Sequence, residues 1–492
     1  MDMLGATRSS GRLAGLPDSH FIDGGWAAAA AGAMMETCDP GSASPHARFA
    51  AGDAEDVARA VDSAARAFPV WSRALPRERG KVLSRAAELV RQDAERLAIA
   101  EVLDSGKTLA EARGDVAGAA RTFDYYAGAA DKNEGRSFPL GENYTSFSVN
   151  EPVGVSAHII PWNYPLSPAA RSIAPALAAG CTVVAKPAEQ TPMTALILAE
   201  LLHRAGLPAG ACNVVTGTGA AVGAPLAADR RVRHITFTGS TATGIGVMAA
   251  AARNVASVTL ELGGKSPNIV LADCDIGLAV ENVAGAIFEN AGQICSAGSR
   301  LVIERALHTE FIERLRKRVR ALRLGHGLAD GIDFGAISSA EHLKKIAGYV
   351  EGAKARGVEI VTGGNATVDP ATGRGWFFEP TILDGMAWDD PVVQEEIFGP
   401  VLVVQPVDDV DEAIAAANCT DLALVAGVFT RDISKALRAA REVDAGQVYV
   451  NEYFAGGIET PFGGNRRSGI GREKGLIALA SYSKTKSVTI RI

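Results

Sequence analysis

From residue 155 to residue 260 the chain repeats one pattern, a short β-branched run followed by a helical stretch. The runs fall at 155–160, 182–185, 213–215, 234–238 and 257–260, with helical stretches at 166–179, 193–205, 220–228 and 244–253. Strands separated by helices cannot close as hairpins. They need crossovers, and crossovers give a parallel sheet covered on both faces. A second series runs from Asn268 to Asn451, with helices expected over 276–291 and 307–322 and strands over 300–303 and 401–405. The expected fold class is α/β, with a doubly wound parallel-sheet domain, a second α/β domain and a small β arm.

The remaining segments fit around that frame. Phe21 to Trp26 reads as a hairpin with Asp23-Gly24-Gly25 as its turn. Val57, Ala60, Val61 and Ala64 make a helical stripe, as do Leu83, Ala86, Ala87 and Val90, so 53–130 is expected to be helical. Alternating polar and apolar residues over 138–149 predict an extended arm, and 487–492 predicts a last strand with an exposed edge that needs a partner. A frayed N-terminus of about twenty residues is expected, with no apolar core of signal-peptide length.

Composition excludes several classes. The 492 residues, 47% hydrophobic and 21% charged, suit a soluble enzyme of about three domains. A net charge of -7 with interspersed signs offers no basic stripe for nucleic acid, and no stretch suits a membrane span. Six cysteines without a CxxC pair make no disulfide framework. Cys38, Cys181, Cys212, Cys274 and Cys419 read as small buried residues in a reducing, cytoplasmic setting. No metal site is expected.

Two segments carry chemistry. Phe288-Glu289-Asn290-Ala291-Gly292-Gln293-Ile294-Cys295-Ser296 offers a thiol on a small, polar loop, and Leu260-Glu261-Leu262-Gly263-Gly264-Lys265 offers a carboxylate beside a glycine pair. A nucleophile that forms an adduct and a base that activates water suffice to make and hydrolyse a thioester. Two glycine-containing turns, 216–219 and 238–241, follow expected strands, where glycine admits a pyrophosphate and Ser240 can cap a helix. Lys186 and Glu189 stand at the carboxyl end of another strand, where dinucleotides bind in such sheets. A carboxylate there favours a free ribose hydroxyl over a 2′-phosphate, hence NAD, with NADP possible.

In these residues the chain resembles the aldehyde dehydrogenase superfamily, in its hydrolytic, NAD(P)-dependent branch. The resemblance runs from about Phe21 to Ile492 and rests on seven segments in order. They are Pro161-Trp162-Asn163-Tyr164-Pro165, Lys186-Pro187-Ala188-Glu189, Phe237-Thr238-Gly239-Ser240-Thr241 and Leu260 to Lys265. Gly292-Gln293-Ile294-Cys295, Glu395-Glu396-Ile397-Phe398-Gly399-Pro400 and Pro461-Phe462-Gly463-Gly464 complete the set.

The resemblance implies Cys295 as nucleophile, Asn163 as oxyanion donor with the Cys295 amide, and Glu261 as the base that activates water. It implies a cofactor site of Pro161, Trp162, Lys186, Glu189, Gly219, Gly239, Ser240, Leu262, Glu396 and Phe398. Tyr164, Arg171 and Phe454 would face the aldehyde, and Glu473 matches a glutamate near the proton exit path. The domains expected are an NAD-binding domain over 1–130 and 150–258 and a catalytic domain over 259–465. An oligomerisation arm over 131–149 and 480–492 would build a homodimer or homotetramer.

Substrate signals are mixed. The Arg171 position often carries tryptophan in members acting on small apolar aldehydes, and arginine in succinate-semialdehyde enzymes. An arginine suits a carboxylate, but Glu289 stands where those enzymes tend to carry a second arginine and would repel a second carboxylate or neutralise Arg171. The expected substrate is a medium-sized or aromatic aldehyde, ahead of a carboxylate-bearing semialdehyde. Glu261 argues against the CoA-acylating branch, which generally lacks it. A cysteine hydrolase and a non-catalytic scaffold homologue are the remaining readings.

Overall fold

The structure, a computed structural model, describes residues 2–492. Its first sheet has eight strands, and the order across it explains where a ligand can sit. Cys212–Val214, Thr182–Lys186, Val155–Ile159, Val232–Thr238 and Ser257–Glu261 lie side by side and parallel. The chain starts on Val155–Ile159, steps outward twice, then crosses back to Val232–Thr238 on its other side. Such a reversal opens a crevice at the carboxyl ends of the two strands where the direction changes. Here those ends run into Pro161-Trp162-Asn163 and Gly239-Ser240.

The second sheet has seven strands in the order Glu359–Thr362, Thr381–Asp384, Val401–Val407, Arg300–Glu304, Pro267–Val270, Val425–Phe429 and Gln447–Val450. All its pairs are parallel except the first. Central strands of both sheets are buried along their length, as sheets covered on both faces demand. Helix Leu166–Ala179, which closes the first crossover, is itself almost wholly buried.

The sequence-based expectations hold for the strands and most helices, with several corrections. The N-terminus is not frayed. Helix Met3–Ser10 is capped by Asp2, and Arg8 anchors it by donating from Nε to the Leu328 carbonyl at 2.7 Å and pairing with Asp330 at 2.6 Å. Leu13 is buried behind it. The hairpin of Met34–Asp39 and Ser44–Ala50 was not legible, because charged residues such as Glu36 and Arg48 interrupt its apolar pattern. In the first hairpin the turn is Asp23-Gly24, both with positive φ (57° and 78°), as a tight two-residue turn requires.

The expected domain boundary at 259 lies inside strand Ser257–Glu261, so the passage between sheets falls between Glu261 and Pro267. The arm strand extends beyond 149, as Tyr144–Pro152, and the terminal strand Ser483–Arg491 pairs with it residue by residue within the same chain. One edge of the terminal strand therefore already has its partner, and the other stays exposed. All six cysteines are free, and Cys38 and Cys419 are half-buried rather than buried. Among the described residues no helix is long and apolar enough to cross a membrane.

Candidate active site

The thiol owes its position to a strained turn. Helix Ile276–Phe288 ends, and Asn290, Ala291 and Gly292 follow with φ of 46°, 53° and 71°. Only glycine adopts such angles without penalty; for other residues each costs about 1–2 kcal/mol, and such strain gathers at functional sites. Gly292 has no alternative, since a Cβ there would lie 2.3 Å from the Gly399 carbonyl oxygen.

Hydrogen bonds on every side hold the turn. The Asn290 amide donates to Glu111 at 2.7 Å, and its side-chain Nδ2 donates to the Asn163 carbonyl at 3.1 Å. The Gln293 side chain donates to the Asn290 and Ala336 carbonyls and accepts from the Ser338 amide. Asn163 donates from Nδ2 to the Gln293 carbonyl at 2.8 Å, which fixes its amide and leaves its second N–H for a ligand oxygen.

Two cavities meet at the turn. A cleft of about 380 Å³ is lined by Pro161, Trp162, Lys186, Glu189, Gly219, Gly239, Ser240, Glu396 and Phe398, nine of the ten residues expected around a cofactor. A funnel of about 200 Å³ is lined by Tyr164, Arg171 and Phe454, the three residues expected to face the aldehyde. Cys295 and Asn163 line both, and Glu261 lines the cleft. The thiol therefore stands where one cavity opens into the other.

Leu262 is the exception. Its side chain is buried beneath Gly244, whose Cβ would come within 2.5 Å of it, and its amide donates to the Ser468 carbonyl at 2.9 Å. It belongs to the core of the first domain, because Gly244 leaves a hole that a leucine fills.

The cleft is shaped for an extended polar ligand. Lys186 Nζ donates to Glu189 Oε2 at 2.8 Å, so the two present a fixed ammonium–carboxylate pair. Ser240 caps helix Thr241–Ala252 and turns the start of that helix toward the cleft, a favourable place for phosphate. Gly239 and Gly263 keep the walls open, since a Cβ at either would lie 2.6 Å from the Phe237 ring or 2.4 Å from Glu396 Oε2. Glu396 accepts from the Gly264 amide at 2.9 Å, and burial pushes its carboxyl up to about 7.

Trp162 and Phe398 meet edge to face at 5.2 Å. His342, which sequence reasoning missed, packs on both and sits 2.6 Å from the Phe398 carbonyl. Burial lowers its pKa to about 4, so the ring is neutral, and the carbonyl fixes Nε2 as its donor. No motif marks His342; only the fold brings it there.

Electrostatics set the thiol and the carboxylate apart from ordinary groups. Neither oxygen of Glu261 has a hydrogen-bond partner although the residue is 1% exposed. Burial raises its pKa well above the usual carboxylate range, and the charge of Glu473 raises it further. Gly463 makes its room, since a Cβ there would lie 2.7 Å from Glu261 Oε1. The protein around Cys295 pushes its thiol up to about 12, against the pull of Arg171. A carboxylate held this basic, beside a cavity that admits water, can serve as a general base.

Arg171 is not neutralised by Glu289. Its Nε faces Glu473 in a buried ion pair, and its guanidinium lies 5.1 Å from the Phe462 ring. Glu473 is itself buried. It is 4% exposed, and its backbone exchanges two hydrogen bonds of 2.8 Å with Phe462. Glu289 instead stays exposed at the edge of the funnel, where crowding protein and the carboxylates of Glu111 and Asp115 raise it to about 7.

The model of the aldehyde dehydrogenase family matches residues 26–488. The chain belongs to that family. This aldehyde dehydrogenase is 43% identical to betaine aldehyde dehydrogenase of Bacillus subtilis (strain 168), over 95% of this chain and 96% of that one. It is 42% identical to hydroxyisobutyraldehyde dehydrogenase of Mycolicibacterium austroafricanum, over 97% and 94%. Among solved structures, an indole-3-acetaldehyde dehydrogenase complexed with NAD+ superposes with a TM-score of 0.97 at 38% identity, covering 100% of both chains. The protein is an NAD(P)-dependent oxidoreductase with the α/β fold of its relatives.

Proposed function

We propose that this aldehyde dehydrogenase oxidises a medium-sized or aromatic aldehyde to the carboxylic acid with NAD+, through a thioester on Cys295. The observation that carries this reading is the placement of the thiol between cleft and funnel, with the unbonded Glu261 carboxyl in the same cavity.

The Cys295 thiol gives up its proton to solvent, and the sulfur attacks the aldehyde carbon to form a carbon–sulfur bond. The resulting oxyanion receives the free N–H of Asn163. Losing one such donor costs about 10²–10³ in rate. The dinucleotide, when bound, supplies the acceptor for the hydride that leaves this carbon. Its adenosine ribose would lie against Lys186 and Glu189, its pyrophosphate against Gly239 and Ser240, and its nicotinamide end against Glu396 and Phe398. Glu261 then removes a proton from water, hydroxide adds to the thioester, and the carbon–sulfur bond breaks to release acid, the departing sulfur taking the proton back from Glu261 to restore the thiol.

Glu189 supports NAD over NADP, because a carboxylate beside the ribose hydroxyls opposes a 2′-phosphate. Glu189→Ser is expected to raise kcat/KM for NADP+ by about tenfold or more, since like-charge contact costs several kcal/mol. Initial rates with both dinucleotides check this, and an unchanged ratio would remove Glu189 from the ribose site.

The walls Tyr164, Tyr449, Phe454 and Phe462 support a sizeable apolar body. A quaternary ammonium aldehyde such as betaine aldehyde fits less well, because Arg171 and Lys474 line the same funnel. Oxidation of benzaldehyde, hexanal, 3-aminopropanal and succinate semialdehyde, followed as NADH formation, tests the assignment. Benzaldehyde and hexanal are expected to lead; succinate semialdehyde in first place would contradict it. Free thiols on all six cysteines support a cytoplasmic setting, and the exposed outer edge of Ser483–Arg491 supports a homodimer or homotetramer.

A further inference from the structure

Four charged side chains line the funnel: Asp115, Arg171, Glu289 and Lys474. Asp115 is paired with Lys107 at 2.5 Å, and Arg171 with Glu473. Glu289 is exposed and reaches water. Lys474 differs from all three. It is half-buried, and among the described residues no carboxylate lies within ion-pair distance of its ammonium. Its ammonium lies over the face of Phe462, 5.1 Å from the ring centre, the same ring that Arg171 approaches at 5.1 Å.

The backbone is arranged to put Lys474 there. Its φ is 59°, an angle that costs a lysine energy, and the residue before it is pinned by the two backbone bonds between Glu473 and Phe462. Two polar side chains of the same funnel are committed to other partners. Tyr449 donates to Gln447 at 3.0 Å, and Gln447 donates to the Pro461 carbonyl at 3.0 Å. The charged groups that act on Lys474 are Arg171, Glu473, Glu261 and Cys295, and burial with Arg171 lowers its pKa to about 8. A partly desolvated ammonium without a counter-ion is unfavourable until an acceptor arrives.

We propose that Lys474 determines specificity by binding an anionic oxygen on the substrate, which is therefore an aldehyde with an aromatic or medium-sized body and a carboxylate on it. This rests on the reading of the site as one that oxidises aldehydes. The apolar walls hold the body, which short succinate semialdehyde lacks, Cys295 meets the formyl carbon, and the ammonium meets the carboxylate. A neutral aldehyde leaves the ammonium unpaired, and a cationic one places like charges together.

The test compares 4-carboxybenzaldehyde, benzaldehyde and 4-(trimethylammonio)benzaldehyde at neutral pH with NAD+. Wild type is expected to favour the carboxylate over benzaldehyde by about tenfold or more in kcat/KM, mainly through KM, as for a charged hydrogen bond. The cationic aldehyde should have the highest KM. Lys474→Met should erase the carboxylate preference and Lys474→Arg should keep it, with ring electronics cancelling in the variant-to-wild-type ratio. Wild type that oxidises benzaldehyde without preferring the carboxylate would overturn this proposal alone, whether or not the variants fold. A preference that survives in Lys474→Met would also overturn it, and failure to oxidise any of the three would bring down the oxidation reading as well.

Discussion

Replacing Cys295 with alanine is expected to abolish aldehyde oxidation, with a loss on the order of 10⁴–10⁶ in kcat, the scale seen when a covalent nucleophile is removed. No other thiol can substitute. Cys181, Cys212 and Cys274 are buried, and Cys38 and Cys419 line neither cavity at the turn. Binding of NAD+ should stay close to wild type, because the cleft is built mainly from Lys186, Glu189, Gly239, Ser240, Glu396 and Phe398. Steady-state turnover and fluorescence titration of NAD+ separate the two effects. Residual turnover above about one per cent of wild type would mean that the oxidation does not need the sulfur.

The second large effect belongs to Glu261. Glu261→Gln keeps the volume and removes the base, so deacylation should slow by about 10²–10⁴. Acylation precedes that step, and a burst of NADH close to one per active site should remain. Absence of both burst and turnover would show that Glu261 is required already when the thiol loses its proton.

The pH dependence has a definite sign. Burial holds the Glu261 carboxyl well above the usual range, and only its deprotonated form is a base. Steady-state turnover of the wild type should therefore rise with pH through that elevated value and be lost below it. In Glu261→Gln this limb should disappear, leaving a profile governed by hydroxide alone. A pH–rate limb unchanged by the substitution would assign it to another group.

How much of this was legible depended on how local the signal is. The five parallel strands of the first sheet and helix Leu166–Ala179 follow from β-branched runs and apolar periodicity, because both faces of such a sheet are buried. Nine of the ten residues expected around a cofactor meet in one cleft with the thiol and the carboxylate, each from a short segment whose backbone conformation demands particular residues, as Gly239, Gly263 and Gly292 show. Leu262 stands apart because its motif places it beside the cleft, while its side chain turns into the hole at Gly244.

Relations across the chain were hidden. The ion pair of Arg171 with Glu473, the clamp of Glu111 on Asn290 and the packing of His342 on Trp162 join residues far apart in sequence. Glu289 was the nearer candidate for Arg171, yet only the folded chain brings Glu473 to it. The ordered N-terminal helix was missed for the same reason, since its anchor is the contact of Arg8 with Leu328 and Asp330.

A single-turnover experiment on Glu261→Gln tests the covalent account most directly. The variant is mixed with aldehyde and NAD+, quenched in acid after the NADH burst, digested and mapped by mass spectrometry. The account predicts one added acyl group per chain, on the peptide that contains Cys295. An unmodified Cys295 peptide after a full burst, or an acyl group on any other residue, would contradict it.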